Sequence, residues 1–266
     1  NLYLTQSAVS FRVRQLESLL GVELFSRQRN NIQLTPAGEK LMPLAESSVL
    51  LEQRIRQEVA MAEGRQQQMS IGATPNLWDA LLQQHLSLFM SSSPGIGLTA
   101  LSHSGGNLVR QIIERTLDLA VVFDAPKVDE LTTIEVMQVP LYLVSTQPCS
   151  SWEQAFEHNY VMVDWGTSFQ MQHAQEFRSG RAPVLHTNTG RIALDCILSN
   201  GGAAYLPPTL VQSAIEQGAL HVVTAAPVIK RTVYASYHAT SGREELINKV
   251  IDQITAGTPG PAGDLL

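Results

Sequence analysis

The sequence lacks most of what a membrane protein or a disordered chain requires. Nowhere in its 266 residues is there a run of about 18 apolar residues, which excludes a membrane-spanning helix. Charged residues make up only 16% of the chain and apolar residues 44%, so disorder along most of it is excluded and sizeable cores can form. Aromatic residues reach only 6%, which argues against an aromatic-rich surface for carbohydrate or RNA. We therefore expect a soluble cytoplasmic protein.

The chain also lacks the residue patterns of catalysis and metal binding. It contains no GxSxG motif, and no glycine-rich phosphate loop follows a predicted strand. Its seven histidines are scattered, with no HxxxH pair and no cysteine at metal-ligand spacing. Cys196 lies in an apolar helical stretch typical of packing, and Cys149 has no visible activating neighbour. These absences predict a protein that is not an enzyme and that uses no cofactor and no metal.

Charge is unevenly distributed along the chain. The net charge is −6, yet the first 35 residues carry four arginines against two glutamates. A mildly basic head on an acidic body suggests that two regions serve two different partners. The length of 266 residues fits two or three compact units.

The head begins with a helical pattern between Thr5, a capping residue, and Gly21, a natural C-terminal stop. One face is an apolar stripe, formed by Val9, Val13, Leu16 and Leu20. The opposite face carries Ser7, Ser10, Phe11, Arg14 and Ser18, with Gln6 and Arg12 on its flanks. Hydroxyl, amide and guanidinium groups are those that read base edges in the major groove. An ordinary amphipathic surface helix has the same periodicity, so the pattern alone leaves both interpretations open.

A basic hairpin follows this helix. The segment from Leu24 to Leu34 predicts a short two-stranded ribbon that turns at Asn30-Asn31 and carries Arg27 and Arg29. A helix followed by such a ribbon is the layout of a winged helix-turn-helix, whose wing contacts phosphates beside the groove.

These residues together resemble a known family. The run T-Q-S-A-V-S-x-x-V-x-x-L-E-x-x-L-G-V-x-L-F-x-R, followed by L-T-P-A-G, spans Thr5 to Gly38. In this joint spacing it resembles the DNA-binding domain of LysR-type transcriptional regulators. The segments LTQSAVSFRVRQLE and Arg29–Leu34 are similar to the HdfR-like branch of that family, and this implies a link to the control of flagellar genes.

The resemblance implies specific contacts with DNA. It assigns base-facing positions to Gln6, Ser7, Ser10, Phe11 and Arg12, and wing positions to Arg27 and Arg29; the helical face adds Arg14. Phe11 departs from the polar residue that the family often has, and its ring could either touch a thymine methyl or pack on protein. The family fold also has a first helix and most of a second ahead of Leu2, so the resemblance implies that the chain is N-terminally truncated.

A long helix is predicted after Thr35-Pro36, which pairs an N-cap with proline at the first helical position. Apolar or small residues follow at near-heptad spacing, at Leu41, Leu44, Ser48, Leu51, Ile55 and Ala62. This favours a helix that pairs two copies of the chain over a surface helix of its own domain, and the family resemblance implies the same linker helix.

Beyond Met69 short apolar runs alternate with amphipathic helical stretches, which predicts an α/β fold with mainly parallel strands. The family resemblance favours two lobes with a cleft, like a periplasmic binding protein, over one large sheet. The expected domains are a partial winged helix-turn-helix at 1–35, a linker helix at 36–64, an effector domain at 69–254 and a disordered tail at 255–266. Lobe I is expected at about 69–142 and 235–254, and lobe II at about 143–234.

Ligands of α/β lobes lie at the carboxyl ends of strands and near helix N-termini. The residues expected there are rich in hydroxyl and amide groups, which suit a small carboxylate: Thr74, Asn76, Ser102, His103, Ser104, Asp124, Gly166, Thr167, Ser168, Asn188, Thr189 and Gly202. Loops between strands and helices collect the same residue types as caps and turns, so either interpretation is open for each one.

The sequence thus predicts a sequence-specific regulator that binds double-stranded operator DNA as a dimer or tetramer and responds to a small-molecule effector. RNA polymerase is a further candidate partner, and no membrane is involved. The alternative is a stand-alone small-molecule binding protein without a DNA function.

Overall fold

The structure is a computed structural model that describes residues 5–28, 31–61, 67–93, 95–178 and 182–256. The chain divides into two compact units, Asn1–Glu63 and Gly64–Leu266. Arg29, residues 62–66 between the expected linker helix and effector domain, and residues 257–266 of the expected tail lie outside the described residues. No helix in the described part of the chain is long and apolar enough to cross a bilayer.

The first unit is a helix, a hairpin and a long helix. Helix α1 is Gln6–Leu20, strands β1 and β2 are Phe25–Gln28 and Asn31–Leu34, and helix α2 is Pro36–Met61. The Thr5 hydroxyl accepts a hydrogen bond from the Ala8 amide at the start of α1, and Gly21 ends the helix with φ +70°. The strands pair antiparallel, from Phe25 opposite Leu34 to Gln28 opposite Asn31. The caps and the two strands form where the local sequence predicts them, but Asn31, expected in the turn, is already the first residue of β2 and pairs with Gln28.

Two residues join α1, the hairpin and α2. The Glu17 carboxylate accepts hydrogen bonds from the backbone amides of Leu24 and Phe25 at 2.8 and 3.2 Å. A Cβ on Gly38 would lie 2.2 Å from the Leu24 carbonyl oxygen, so only glycine allows α2 to approach the chain there. These two contacts give the L-E and P-A-G parts of the sequence motif a structural reason.

The second unit alternates strands and helices. Its strands are β3 Gln67–Ala73, β4 Ile96–Ser102, β5 Leu119–Val122, β6 Leu131–Ser145, β7 Tyr160–Val163, β8 Leu185–Thr187, β9 Ala203–Leu206, β10 His221–Val222 and β11 Ile229–His238. Its helices are α3 Pro75–Leu77, which continues as a π-helix over Trp78–Leu82, then α4 Gln83–Ser92, α5 Gly105–Ile113, α6 Trp152–Glu157, α7 Thr167–Glu176, α8 Gly190–Asn200, α9 Pro208–Glu216 and α10 Glu244–Ala256.

The strands form one path, in the order β4-β3-β5-β11-β6-β9-β7-β8, with β10 also paired to β6. We call lobe I the half built on β3, β4 and β5, and lobe II the half built on β7, β8, β9 and β10. Strands β6 and β11 run through both halves as an antiparallel pair, from His238 opposite Leu131 to Ile229 opposite Leu141. The part of β6 that pairs with lobe II is Tyr142–Ser145.

The expectation of mainly parallel strands is wrong for the middle of the sheet. Pairing is parallel inside the lobes, between β3 and its neighbours and between β7 and its neighbours. It is antiparallel wherever β6 or β11 takes part. The first half of β6, LTTIEVMQ, has no buried residue, and burial begins only at Val139.

Each lobe packs helices against the sheet. All four residues of β5 and all four of β9 are buried. In lobe II the largest buried side chains are Trp165, Tyr205 and Phe169. His173 of α7 joins this core, where the Tyr160 hydroxyl lies 2.7 Å from its Nε2. Burial lowers the pKa of His173 to about 4, so the ring is neutral at physiological pH and serves packing.

Candidate DNA interface and effector cleft

Helix α1 presents a polar and cationic face to solvent. Gln6, Ser7, Arg12 and Arg14 are exposed, and Ser10 is half-buried. Phe11 is 67% exposed, so it does not pack into the described part of this unit. An open depression beside this face is lined by Phe11, Arg12, Arg14, Gln15 and Ser18 and also by Leu16 and Leu19, so it reaches the apolar stripe of the helix. Arginine, glutamine and serine side chains on one helical face can all bond to base edges.

The wing is only partly described. Arg27 lies in β1 opposite Ile32, next to the hairpin turn. Arg29 lies outside the described residues. The apolar stripe of α1 is uncovered in this unit, since none of the described helix residues is buried and Leu20 is 45% exposed. Burial within this unit therefore does not separate the two predicted faces of α1, since Val13 of the stripe and Ser10 of the opposite face are both half-buried.

The carboxyl ends of three parallel strands meet at one edge of lobe I. Ala73 at the end of β3 pairs with Ser102 of β4 and with Val121 of β5. The residues that follow these ends include Thr74, His103, Ser104 and Asp124. The His103 amide donates to the Ala73 carbonyl at 3.1 Å, which holds the loop after β4 against the end of β3.

A similar edge exists in lobe II. Val163 at the end of β7 pairs with Thr187 of β8, and the Asp164 amide donates to the Thr187 carbonyl at 2.8 Å. The predicted residues Gly166, Thr167, Ser168, Asn188 and Thr189 all follow these two strand ends. The sequence analysis omitted Asp164, although it stands directly after a buried strand.

The placement expected for Gly202 is wrong. Gly202 precedes β9, and the pairing of Ala203 with Tyr160 puts it at the amino end of β7, the opposite edge of the lobe II sheet. A Cβ on Gly202 would lie 2.4 Å from the Asn159 carbonyl oxygen, and its amide donates to the Thr146 hydroxyl at 2.9 Å. The close approach of Asn159 therefore explains why residue 202 is glycine, and no ligand at the strand ends is involved.

Asn76 connects the two edges. Its Nδ2 donates to the Asp164 carbonyl at 2.8 Å, and its Oδ1 accepts from the Gly190 amide at 2.7 Å. The residue is only 2% exposed, so both of its polar groups are used inside the protein. A further bond joins the lobes, from the Thr209 hydroxyl of α9 to the Ala80 carbonyl in the π-helix at 2.9 Å.

Asp124 makes a second connection. Its Oδ2 accepts from the Thr167 amide, the first residue of α7, at 2.9 Å. Its Oδ1 accepts from Nη2 of Arg231 at 2.8 Å. Partial burial acts to raise the pKa of Asp124, but the bonds from Thr167 and Arg231 outweigh it and hold that pKa below its usual range.

Arg231 lies where the sheet passes from one lobe to the other. It pairs with Val139 in the middle of β6 and its side chain is 4% exposed. Its Nε donates to the Trp165 carbonyl at 2.8 Å and its Nη2 to the Phe123 carbonyl at 3.1 Å, in addition to Asp124. The guanidinium thus holds the strand ends of both lobes. Arg231 was not among the residues expected from the sequence, where its one signal is an arginine among the alternating apolar residues of β11.

Thr74 differs from its neighbours. Thr74 is the N-cap residue of α3, but its hydroxyl makes no capping bond; the hydroxyl oxygen is buried and has no hydrogen-bond partner among the described residues. Ser102, Ser104, Ser168 and Asn188 are exposed at the same strand ends, and no described contact joins them across the cleft. Within the described parts of the chain no group of three or more His, Cys, Asp or Glu side chains could hold a metal ion.

Two regions of the chain match known families. Residues 1–39 match the family described as bacterial regulatory helix-turn-helix protein, lysR family, and residues 62–259 match the LysR substrate binding domain. The chain is 40% identical over 249 residues to the HTH-type transcriptional regulator HdfR of Salmonella dublin, which covers 92% of this chain and 87% of the relative. HdfR of Salmonella typhimurium is 39% identical over the same shares.

Solved structures are similar at lower identity. CbnR, a LysR family transcriptional regulator, has a TM-score of 0.76 at 16% identity and covers 97% of this chain and 91% of its own. CbnR complexed with its target DNA has a TM-score of 0.75, also at 16% identity, and covers 97% of this chain and 92% of its own. A full-length variant of OxyR from Pseudomonas aeruginosa has a TM-score of 0.59 at 22% identity, with 95% and 91% covered. At these identities the similarity shows the fold alone.

Proposed function

Because the chain belongs to the LysR family of transcriptional regulators, we propose that α1 reads an operator and that the cleft between lobes I and II senses a small molecule. The chain has a helix-turn-helix domain and an effector-binding domain with the two-lobed fold of periplasmic binding proteins, and its relatives are regulators and not enzymes. The alternative of a stand-alone binding protein gives no role to residues 1–39, which match the DNA-binding family.

The exposed face of α1 is the observation that carries the DNA-reading proposal. Arg12 and Arg14 can bond to guanine, Gln6 to adenine, and Ser7 and Ser10 to either. Arg27 and Arg29 of the wing would contact phosphates, which set affinity and not sequence preference. The exposed ring of Phe11 is placed to touch a thymine methyl. Operator binding would locate the protein in the cytoplasm with the DNA.

The first test is operator binding by the protein expressed from its own gene. It is titrated against labelled DNA from upstream of that gene, with excess non-specific competitor, at two salt concentrations. We expect specific binding that weakens by about tenfold or more in Arg14→Ala, because one bidentate base contact is lost. Flagellar promoters are the next DNA to test.

Arg110→Ala is the matched control, since Arg110 is exposed on α5 of the effector domain and lies far along the chain from α1. Equal affinity of wild type and Arg14→Ala would contradict base reading by this side chain. Binding that appears only as a salt-sensitive smear, and that competitor removes, would contradict specific recognition of this DNA.

Helix α2 is proposed to pair two copies of the chain. Its 26 residues leave large apolar side chains uncovered in its own unit, at Met42, Leu44, Val49, Leu51 and Ile55. A second α2 could bury this stripe. The resulting twofold dimer, alone or within a tetramer, would present two reading helices to a pseudo-palindromic operator, with RNA polymerase as a candidate partner beside it.

The effector is proposed to bind where the strand ends of the two lobes meet. The buried hydroxyl of Thr74 supports this location, because an unpaired buried hydroxyl is costly and a ligand group could pair with it. Ser102, His103, Ser168, Asn188 and Thr189 are the candidate contacts that remain free of the bonds across the cleft. Closure around a ligand would shift the population between two assembly states.

Thr74→Val tests this location. Valine keeps the shape of threonine and leaves no polar group unpaired, so we expect unchanged stability. For any metabolite that stabilises the wild-type protein in a thermal-shift screen, we expect affinity to fall about fivefold, the value of one neutral hydrogen bond. Thr74→Ser retains the hydroxyl and should retain most of the affinity. Unchanged ligand affinity in Thr74→Val would place the effector elsewhere.

A further inference from the structure

The first backbone amides of α7, in lobe II, face lobe I and have no acceptor within their own helix. Such amides and the helix dipole favour an anion. In this structure a carboxylate from lobe I already occupies that position: Oδ2 of Asp124 lies 2.9 Å from the Thr167 amide. The preceding amide, of Gly166, donates to the Asp164 side chain at 2.9 Å. The chain therefore supplies its own anions to this helix end.

The surroundings of Asp124 are shaped to hold its carboxylate. Gly166 adopts φ +92°, and a Cβ there would lie 2.8 Å from Asp124 Oδ2 and 2.9 Å from Arg231 Nη2. Any side chain at this position would therefore displace the carboxylate or the guanidinium. Arg231 is fixed independently by the Trp165 and Phe123 carbonyls, so its Nη2 is already aimed at the second oxygen of Asp124.

The carboxylate is held on one side only. The Asp124 side chain is 46% exposed, while the Arg231 side chain is 4% exposed. The two hydrogen bonds that the Asp124 carboxylate accepts are charge-assisted and short, and such bonds are stronger than hydrogen bonds between neutral groups. A competing anion could therefore reach the position from the open side, but it would have to replace a group that the backbone keeps permanently nearby at high effective concentration.

We propose that Asp124 is the built-in ligand of the cleft: its carboxylate clasps lobe I to the α7 N-terminus of lobe II and to Arg231 on the shared strand β11, and a small anionic effector acts by displacing it. This rests on the proposed function only in assigning the displacing anion to an effector. The displacing group has the chemistry of a carboxylate, because it takes over one backbone amide and one guanidinium donor. Additional contacts elsewhere in the cleft are needed to outcompete the tethered group.

The test uses chemical complementation of Asp124→Ala in the full protein, with formate as the probe. Removing the side chain leaves the Thr167 amide and the Arg231 guanidinium around an empty space of carboxylate size. We expect the melting temperature to fall by about 4 °C and formate to restore at least half of the loss with saturation. The wild type should show no saturable response to formate, and sodium chloride at equal ionic strength should not restore the variant.

A second readout is hydrogen exchange at the Thr167 amide, whose side chain is exposed and whose amide is bonded to Asp124. We expect it to exchange at least about tenfold faster in Asp124→Ala and to regain protection with formate. Asp129→Ala is the matched control, since Asp129 is exposed on the same lobe. If Asp124→Ala does not fold, Asp124→Asn keeps the shape but loses the charge, and faster exchange at Thr167 remains the expected result.

Several results would overturn the proposal. These are an unchanged melting temperature and unchanged Thr167 exchange in Asp124→Ala, or a formate effect of equal size in wild type, Asp124→Ala and Asp129→Ala. The measurements use no DNA, so failure to find an operator leaves the clasp standing. Conversely, loss of the clasp would leave operator reading by α1 untouched.

Discussion

Replacing Arg231 with methionine should lower the free energy of unfolding of the effector domain by about 3 kcal/mol and its melting temperature by about 9 °C. Methionine fills most of the space of the arginine stem but donates no hydrogen bond. The Trp165 and Phe123 carbonyls then lose their donor in a buried site, and this is the main source of the cost. Asp124 loses its ion pair as well, but that carboxylate is half exposed and water partly compensates it.

Thermal and urea unfolding of the full protein, followed by circular dichroism, measure this effect. Lys230→Met is the matched control, because Lys230 is the preceding residue of β11 and is exposed. We expect the control to change the free energy of unfolding by less than about 0.5 kcal/mol. If both variants unfold alike, the buried guanidinium does not hold the lobes together.

The second large effect is expected for Asn76→Ala, at about 2–3 kcal/mol. The change removes both bonds that Asn76 makes across the cleft, one to the Asp164 carbonyl and one from the Gly190 amide. The Gly190 amide is buried, so loss of its acceptor leaves a desolvated donor without a partner, which is the main source of the cost. Without the two bonds of Asn76, lobes I and II should also separate more readily.

Asn76→Asp tests the bond to the Asp164 carbonyl. Aspartate retains an acceptor for the Gly190 amide but places a buried carboxylate oxygen against the Asp164 carbonyl oxygen, so at neutral pH we expect a loss at least as large as in Asn76→Ala. Asn248→Ala, at an exposed position of α10, controls for the loss of an asparagine. The same free energy of unfolding for Asn76→Ala and Asn248→Ala would show that the interlobe bonds of Asn76 contribute nothing.

Asn76, Asp124 and Arg231 show which parts of the contact between the lobes can be predicted from the sequence. Asn76 and Asp124 were selected correctly as residues of the strand ends, because a polar residue after a buried run is a local signal. Both residues were candidates for ligand contacts, with caps and turns as the open alternative, and the structure uses them between the lobes. Arg231 was missed, and its partners lie 66, 107 and 108 residues away in the chain.

The error at Gly202 has the same origin. Whether a residue beside a strand lies at the ligand edge depends on the direction of that strand relative to its neighbours. That direction follows from the pairing of β9 with β7, which lies about 40 residues earlier. Glycine before an apolar run therefore looks the same in the sequence at either edge of the sheet.

The sequence by itself determined the head of the protein and the alternation of the body. Caps at Thr5 and Thr35, the stop at Gly21 and the helical stripe act within a few residues, so their physics is visible in a short stretch of chain. Only the tertiary structure decided that β6 and β11 serve both lobes, and that Asn76, Asp124 and Arg231 close the cleft. Those features depend on groups that are distant in the chain and become neighbours only after the strands have paired, so no local pattern records them.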